Sequence, residues 1–212
     1  METNLASCRK CRHAGEKLFL KGAKCRTAKC GVERRAASPG QHGKPTNTKK
    51  ISEYGKQLME KQKVKRIYGL RERQFHHFFI KASKLKGVRG ENLLALLERR
   101  LDNVLYRLKM ALSRSQARQM IVHGHVTING ARVSSPSFVV SINDEVALST
   151  GTQAKEVFLK NVVDKRMNIG IKVPEWLELN KDDRKGIVMR LPIRSDITIP
   201  IQEHLVVEMY SK

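Results

Sequence analysis

At 212 residues the chain can hold one large or two modest domains, and its 40% apolar, 5% aromatic make-up is globular but poor in large anchors. Its 42 Lys and Arg against 20 Asp and Glu leave a formal net charge of +22, a self-repulsion that a polyanion would relieve. Nucleic acid is the first partner this implies. An anionic membrane surface is the weaker one, and no stretch approaches the ~20 apolar residues of a spanning helix.

Met1-Glu2-Thr3-Asn4 lacks the basic head and apolar run of a signal peptide, so the expected setting is the cytosol, with reduced cysteines. The positive charge is concentrated early. Residues 1–90 carry 24 Lys and Arg against 6 acids, a net of +18, whereas residues 91–212 carry a net of only +4. An ordinary solvated surface mixes its signs, so the first segment reads as the main polyanion-binding arm.

All four cysteines lie in the first 30 residues, as Cys8-x2-Cys11 and Cys25-x4-Cys30 with 13 residues between the pairs. Two close thiol pairs at this interval can surround one tetrahedral Zn²⁺, and a closed four-thiolate site is structural, not catalytic. A segment so small and polar would draw its folding energy from the metal. Arg9, Lys10, Arg12, Lys24, Arg26 and Lys29 would partly offset the doubly negative centre. Spacing leaves open an iron–sulfur cluster on the same four thiolates, and thiols that are unmetallated or disulfide-bonded.

Arg34-Arg35 leads into a loop from Ala36 to Lys50, punctuated by Pro39, Gly40, Gly43 and Pro45. It is either a plain linker or, ending in Lys49-Lys50 between basic elements, a segment that tracks a phosphate backbone. Ser52 is placed to N-cap a helix running to about Tyr68. Tyr54, Leu58, Val64, Ile67 and Tyr68 mark its buried stripe, and Lys56, Lys61, Lys63, Lys65 and Arg66 its surface. A second helix, about Arg71–Lys86, sets Phe75, Phe78, Phe79 and Ala82 on one face, a core face and not a base-stacking platform. A third, about Glu91–Lys109, buries Leu94, Leu97, Leu101, Val104, Leu105 and Leu108.

Ser113-x-x-Gln116 has the form of a capping box opening a further helix, with Ala117, Met120 and Ile121 inward and Gly124 as its left-handed stop. Val126-Thr127-Ile128 then meets Asn129-Gly130, a strong signal for a tight hairpin, and Arg132-Val133 begins the return. Phe138-Val139-Val140 and Val146-Ala147-Leu148, joined around Asn143-Asp144, suggest another strand pair. Arg114 and Arg118 project from one helix side and, with His123 and His125 at the helix-to-strand turn, form a compact basic face. The tail predicts a helix over 154–167, then short strands at Trp176, 187–189, 197–199 and 205–207 broken by Pro174, Pro192 and Pro200. Residues 202–210 fit helix or strand.

Arg114-Ser115-Gln116-Ala117-Arg118-Gln119-Met120-Ile121 followed by Gly124-His125-Val126-Thr127-Ile128-Asn129-Gly130 resembles the small RNA-binding domain named after small-subunit ribosomal protein four. Pseudouridine synthases, some tRNA synthetases and a heat-shock protein carry similar domains. Ser38-Pro39-Gly40-Gln41-His42-Gly43, Glu60-Lys61-Gln62-Lys63-Val64-Lys65-Arg66-Ile67-Tyr68-Gly69, Glu72-Arg73-Gln74-Phe75, Leu101-Asp102-Asn103-Val104-Leu105-Tyr106-Arg107 and Gln202-Glu203-His204-Leu205-Val206-Val207-Glu208-Met209-Tyr210-Ser211 extend the similarity over almost the whole chain. They are similar to the bacterial small-subunit ribosomal protein four family, and the four cysteines fit its zinc-containing form. Thr3-Asn4-Leu5-Ala6-Ser7 departs from the basic–aromatic stretch that often precedes the first cysteine.

The resemblance implies an α+β protein in three parts. Residues 1–50 are a four-cysteine metal knuckle with a basic extended loop, and 51–98, completed by 196–212, a mostly helical rRNA-binding domain. Residues 99–195 are an inserted RNA-binding domain with antiparallel strands and a helix–hairpin module at 99–162. It implies a primary binder of small-subunit ribosomal RNA at a multi-helix junction of the 5′ domain, joining early in assembly. It further implies small-subunit proteins three and five as neighbours beside the channel where messenger RNA enters, with Lys44, Lys49 and Lys50 nearest the messenger. A part in translational accuracy follows, and repression of its own messenger is a further role to weigh. Charge and resemblance together select Arg9, Lys10, Arg12, Arg34, Arg35, Gln41, His42, Lys44, Lys49, Lys50, Lys56, Lys61, Lys63, Lys65, Arg66, Arg71, Arg73, Arg107, Arg114, Arg118, His123 and His125 as RNA contacts.

The rival from another class is an RNA-modifying enzyme built on the same small domain. It needs a nucleophile or base in a cleft; the acids are scattered, and His76-His77 reads as helix surface. A closed four-thiolate metal offers no open position for an activated water. A zinc-dependent repressor of a messenger is compatible with the ribosomal reading. No enzyme is expected.

Overall fold

The computed structural model describes residues 7–35, 37–40, 51–153 and 172–211. They form two compact units: one from the residues up to Gly90 together with those from Pro200 onward, the other from Glu91 to Ile199. The expected helix at 154–167 and most of the expected loop at 36–50 lie outside the described residues.

In the first unit, α1 (Ser7–Ala14), a 3-10 turn (Gly22–Arg26) and α2 (Gly31–Arg34) precede α3 (Glu53–Tyr68), α4 (Glu72–Ser83) and the C-terminal helix α9 (Glu203–Tyr210). Ser52 N-caps α3, its Oγ accepting from the Gly55 N–H at 3.2 Å, which satisfies one of the orphan donors of the first turn and is worth ~1 kcal/mol. Gly69, at φ +66°, ends the helix in the left-handed conformation that only glycine adopts cheaply. Phe75, Phe78, Phe79 and Ala82 of α4 are buried, as their helical spacing predicts.

The buried stripe of α3 differs from expectation. Tyr54 is 56% exposed, whereas Gln57, Lys61 and Lys65 are buried beside Val64, Ile67 and Tyr68. The reason is long-range. Glu72 at the head of α4 receives Lys61 Nζ at 2.8 Å and Lys65 Nζ at 3.3 Å, and the Tyr210 hydroxyl of α9 donates to the same carboxylate at 2.7 Å. Gln57 likewise donates to Glu208 of α9 at 2.9 Å. The Tyr210 ring packs 4.7 Å from that of Phe79 and 6.1 Å from that of Phe75. These partners also decide the ambiguous tail segment: 205–207 is helix, not strand.

The expected helix over 91–109 is two helices, α5 (Arg89–Glu98) and α6 (Leu101–Arg107). Arg100 between them is extended, at φ −65° and ψ 136°, and its guanidinium is buried against Asp102 at 2.6 and 3.1 Å. The segment at 138–140 docks on this break: Leu101 N–H donates to Phe138 O at 2.9 Å and Val140 N–H to Arg99 O at 3.0 Å. Residues 138–140 are therefore an isolated bridge to Arg100, not the strand partner of 146–148.

α7 (Arg114–Val122) leads into β1 (Val126–Ile128) and β2 (Ala131–Arg132), with Asn129 at φ +50° and Gly130 at φ +80° forming the expected primed turn. β3 (Glu145–Leu148), the short helix α8 (Thr150–Gln153), β4 (Leu177–Asn180) and β5 (Lys185–Val188) follow. All pairings are antiparallel, and the sheet order is β2-β1-β3-β5-β4. The expected strand at 197–199 is absent; a 3-10 turn (Arg194–Asp196) precedes it.

The sheet buries Val126, Val146, Leu148 and Val188 against Leu101, Val104, Leu105, Leu108, Met120, Ile121 and Trp176. Gly186 on β5 marks the closest approach, where a Cβ would stand 2.4 Å from the Leu108 side chain. This one core fixes α6, α7 and the hairpin as a rigid platform.

Candidate RNA interface

α7 begins where the sequence says, with Ser113 Oγ accepting from Gln116 N–H at 3.3 Å. Gln116 Oε1 closes the cap one residue early, accepting from Leu112 N–H at 2.8 Å instead of from Ser113. At the other end Gly124, at φ +71°, turns the chain into β1. A side chain there would have to push the Arg132 guanidinium aside, since a Cβ would stand 1.9 Å from its Nε. Arg132 lies across this turn and donates to the His123 carbonyl at 3.2 Å.

Arg114 is oriented by a buried relay. Glu98, 1% exposed, accepts from Asn103 Nδ2 at 2.7 Å and from Arg107 Nε and Nη2 at 3.0 and 2.7 Å. Asn103 Oδ1 then accepts from Arg114 Nε at 2.8 Å, and the guanidinium carbon of Arg114 lies 4.5 Å from the Tyr106 ring centroid. A charge held by fixed hydrogen bonds and an aromatic face loses little side-chain entropy when it meets an anion. The same relay turns Arg107, expected as an RNA contact, inward onto Glu98, where its pairing is structural.

Arg118 is half-buried one turn on, and no acid pairs with it among the described residues. His123 is exposed; His125 is half-buried, with its Nδ1 2.8 Å from Thr152 Oγ1. The two rings stack at 6.2 Å. They border a recess of about 160 Å³ with Gln116, Gln119 and Met120. His123, His125 and Arg132 thus meet at the helix-to-strand turn, while Arg114 is held at the opposite end of α7; Arg132 is a neighbour that sequence reading missed. Its only signal was one basic residue opening the return strand.

In the first unit Arg9, Arg34, Arg35, Arg71 and Arg73 are exposed, and Lys10 and Arg12 are half-buried. Lys56 is exposed and pairs with Glu53 at 2.7 Å. Lys63 pairs with Glu16 at 2.8 Å and Glu60 at 3.3 Å, and Arg66 lies 3.4 Å from His13. Lys61 and Lys65, expected on the surface, are the buried partners of Glu72. Gln41, His42, Lys44, Lys49 and Lys50 lie outside the described residues.

The cysteines are gathered in this unit. Cys11, Cys25 and Cys30 are buried and Cys8 half-buried, all as free thiols. Burial raises the Cys11 thiol pKa against an opposing backbone bond at Leu18, and Cys25, Cys8 and Cys30 raise it further. Burial also raises that of Cys25, whose Sγ accepts from Lys21 N–H at 3.3 Å. Gly31 lets the chain close over Cys8, where a Cβ would stand 2.9 Å from Cys8 Cβ. The donor set therefore suits a soft tetrahedral ion. Yet among the described residues no group of three or more His, Cys, Asp or Glu is arranged to hold a metal. The thiols are neighbours, not a formed coordination shell.

No helix among the described residues is long and apolar enough to cross a membrane. Residues 4–98 match the family described as "Ribosomal protein S4/S9 N-terminal domain", and residues 99–146 the "S4 domain". The chain is 51% identical over 206 residues to small ribosomal subunit protein uS4 of Thermoanaerobacter sp. (strain X514), covering 97% of each chain. It is 50% identical over 207 residues to that of Acetivibrio thermocellus and 52% over 206 to that of Citrifermentans bemidjiense, again with at least 97% of each chain covered.

Proposed function

Because the chain belongs to the small ribosomal subunit protein uS4 family, we infer that it is a non-catalytic structural protein of that subunit which binds its ribosomal RNA. The observation that carries the mechanism is the relay-held Arg114, set on the same rigid helix–hairpin platform as Arg118, His123 and Arg132. Fixed cations on a defined shape favour recognition of a folded RNA junction, and the net +18 of residues 1–90 adds sequence-independent phosphate affinity.

Finer parts of this reading rest on resemblance and donor chemistry. They comprise early binding at a multi-helix junction of the 5′ domain and neighbours among small-subunit proteins three and five. Contact with entering messenger RNA through Lys44, Lys49 and Lys50, a share in accuracy, and repression of its own messenger complete them. Cys8, Cys11, Cys25 and Cys30 would hold one structural Zn²⁺, an iron–sulfur cluster being the rival. Once bound, the ion would cross-link α1, the 3-10 turn and α2, supplying folding energy and no chemistry.

Binding of the full chain to an isolated 5′-domain transcript tests the core of the proposal. The logarithm of the affinity should fall steeply and linearly with the logarithm of salt concentration; absent or salt-insensitive binding refutes it. Elemental analysis of purified protein should give about one zinc per chain, and iron or no metal refutes the zinc assignment.

A further inference from the structure

Asn129-Gly130 is the one place in the chain where an asparagine precedes a glycine. Glycine has no Cβ to shield its backbone nitrogen, so this asparagine has the least hindered neighbour for attack on its own side-chain carbonyl. Both residues are exposed to water. The fold nevertheless ties Asn129 by three hydrogen bonds to the head of β3. Its Nδ2 donates to Asp144 Oδ1, its Oδ1 accepts from Glu145 N–H, and its own N–H donates to Glu145 O, each at 2.9 Å. Asp144 is itself fixed, its Oδ2 accepting from Ser141 N–H at 2.7 Å. With Asn129 at φ +50° and Gly130 at φ +80°, the turn closes while the carboxamide stays engaged with β3.

We propose that Asn129 is a spontaneous deamidation site, protected while the hairpin turn is clamped and modified when the turn lifts from β3. In the opened turn the Gly130 nitrogen gives its proton to hydroxide and attacks Asn129 Cγ. The Cγ–Nδ2 bond breaks, and the amine takes a proton from water and leaves as ammonia. The resulting succinimide takes up one water at either carbonyl, giving aspartate or isoaspartate. The net change is one water consumed and one ammonia released.

Neither product rebuilds the clamp. Aspartate replaces the Nδ2 donor with a carboxylate facing that of Asp144, and like charges so placed repel. Isoaspartate also carries the main chain through the side-chain carbon, which lengthens a two-residue turn whose length sets the strand register. The modification is therefore one-way, and it falls on the hairpin that lays Arg132 against the His123 carbonyl.

The full chain is incubated at mildly alkaline pH in buffer and in concentrated guanidinium chloride. The peptide holding residues 129 and 130 is followed by mass spectrometry, with its aspartate and isoaspartate forms separated by chromatography. In denaturant Asn129 should convert faster than any other asparagine; in buffer it should convert at least about tenfold more slowly, as expected of a clamp that includes a bond to a carboxylate. Asp144→Ala, its fold checked by fluorescence of the sole and fully buried Trp176, should convert about tenfold faster than wild type in buffer and at the wild-type rate in denaturant. Asn129→Asp, the product made directly, should melt below wild type. Equal wild-type rates in buffer and denaturant, or another asparagine converting first in denaturant, overturn the proposal. So does a folded Asp144→Ala that converts no faster than wild type, and an Asn129→Asp melt equal to wild type refutes the one-way step.

Discussion

Glu72→Gln isolates one charge at the centre of the first unit while keeping an acceptor for the Tyr210 hydroxyl. Burial raises the pKa of this carboxyl, but hydrogen bonds from Lys61, Tyr210 and Lys65 and the charge of Lys61 outweigh it, and the pKa falls from 4.5 to about 2. A group whose folded pKa lies below its unfolded one contributes stability above the unfolded value and loses it as pH falls through the folded one. The window is therefore pH 4.5 down to about 2. The shift converts to ~3.4 kcal/mol undiscounted. The Glu72 side chain is 45% exposed, so solvent screening reduces this to about 1–2 kcal/mol. Thermal unfolding of wild type and variant, followed by circular dichroism from pH 7 to pH 2, should show the variant melting roughly 2–8 °C lower above pH 5. The gap should narrow steadily from pH 4.5 and be largely gone at pH 2, where about half of the folded-state Glu72 carboxyls are protonated. A gap that persists unchanged at pH 2 would mean that shape, not charge, is what Gln disturbs, and the argument would fail.

Burial, with the Glu72 bond, raises the Tyr210 pKa, so stability of this unit should decline as pH rises beyond 10, and Tyr210→Phe should abolish that alkaline limb in the same melts. Glu98→Ala strands the inward-facing Arg107 and releases Asn103; a loss of about 3–5 kcal/mol in urea unfolding is expected, and a loss below ~1 kcal/mol would show that the relay is dispensable. Gly124→Ala combines positive-φ strain of about 1–2 kcal/mol with displacement of Arg132. Adding Arg132→Ala should recover only the displacement part, and full recovery in thermal melts would refute the strain.

Local signals carried the first layer of the structure. Ser52 and Ser113 cap helices, Gly124 ends one, and Asn129-Gly130 turns the hairpin, because each rests on a backbone conformation decided within four residues. The break at Arg99-Arg100 was illegible for the opposite reason. Helical periodicity runs unbroken from Leu94 to Leu108, and only the docking of 138–140 and the buried pairing with Asp102 pull Arg100 out of the helix. Lys61 and Lys65 misled in the same way, since their burial depends on Glu72 and on Tyr210, 138 residues beyond that carboxylate. The candidate RNA face was half legible: Arg114 and Arg118 follow from helical spacing, while the place of Arg132 across the helix-to-strand turn comes only from the fold.

This division bears on how much of the +22 charge faces RNA. Lys61, Lys65, Arg100 and Arg107 are buried or turned inward onto Glu72, Asp102 and Glu98, and Lys63 is shared between Glu16 and Glu60. These cations stabilise the two units and release no counterions when RNA binds, so counting Lys and Arg overstates the salt dependence. Among the cations that remain, two kinds differ in how they are held. Arg114 is preset by its relay, whereas Lys24, Lys29, Arg34 and Arg35 lack carboxylate partners among the described residues around a concavity. The first kind gives a fixed position from which the shape of a junction can be sensed; the second gives affinity for any backbone that enters. A substitution at Arg114 should accordingly change which RNA is preferred, and one at Lys24 or Lys29 how steeply binding answers to salt.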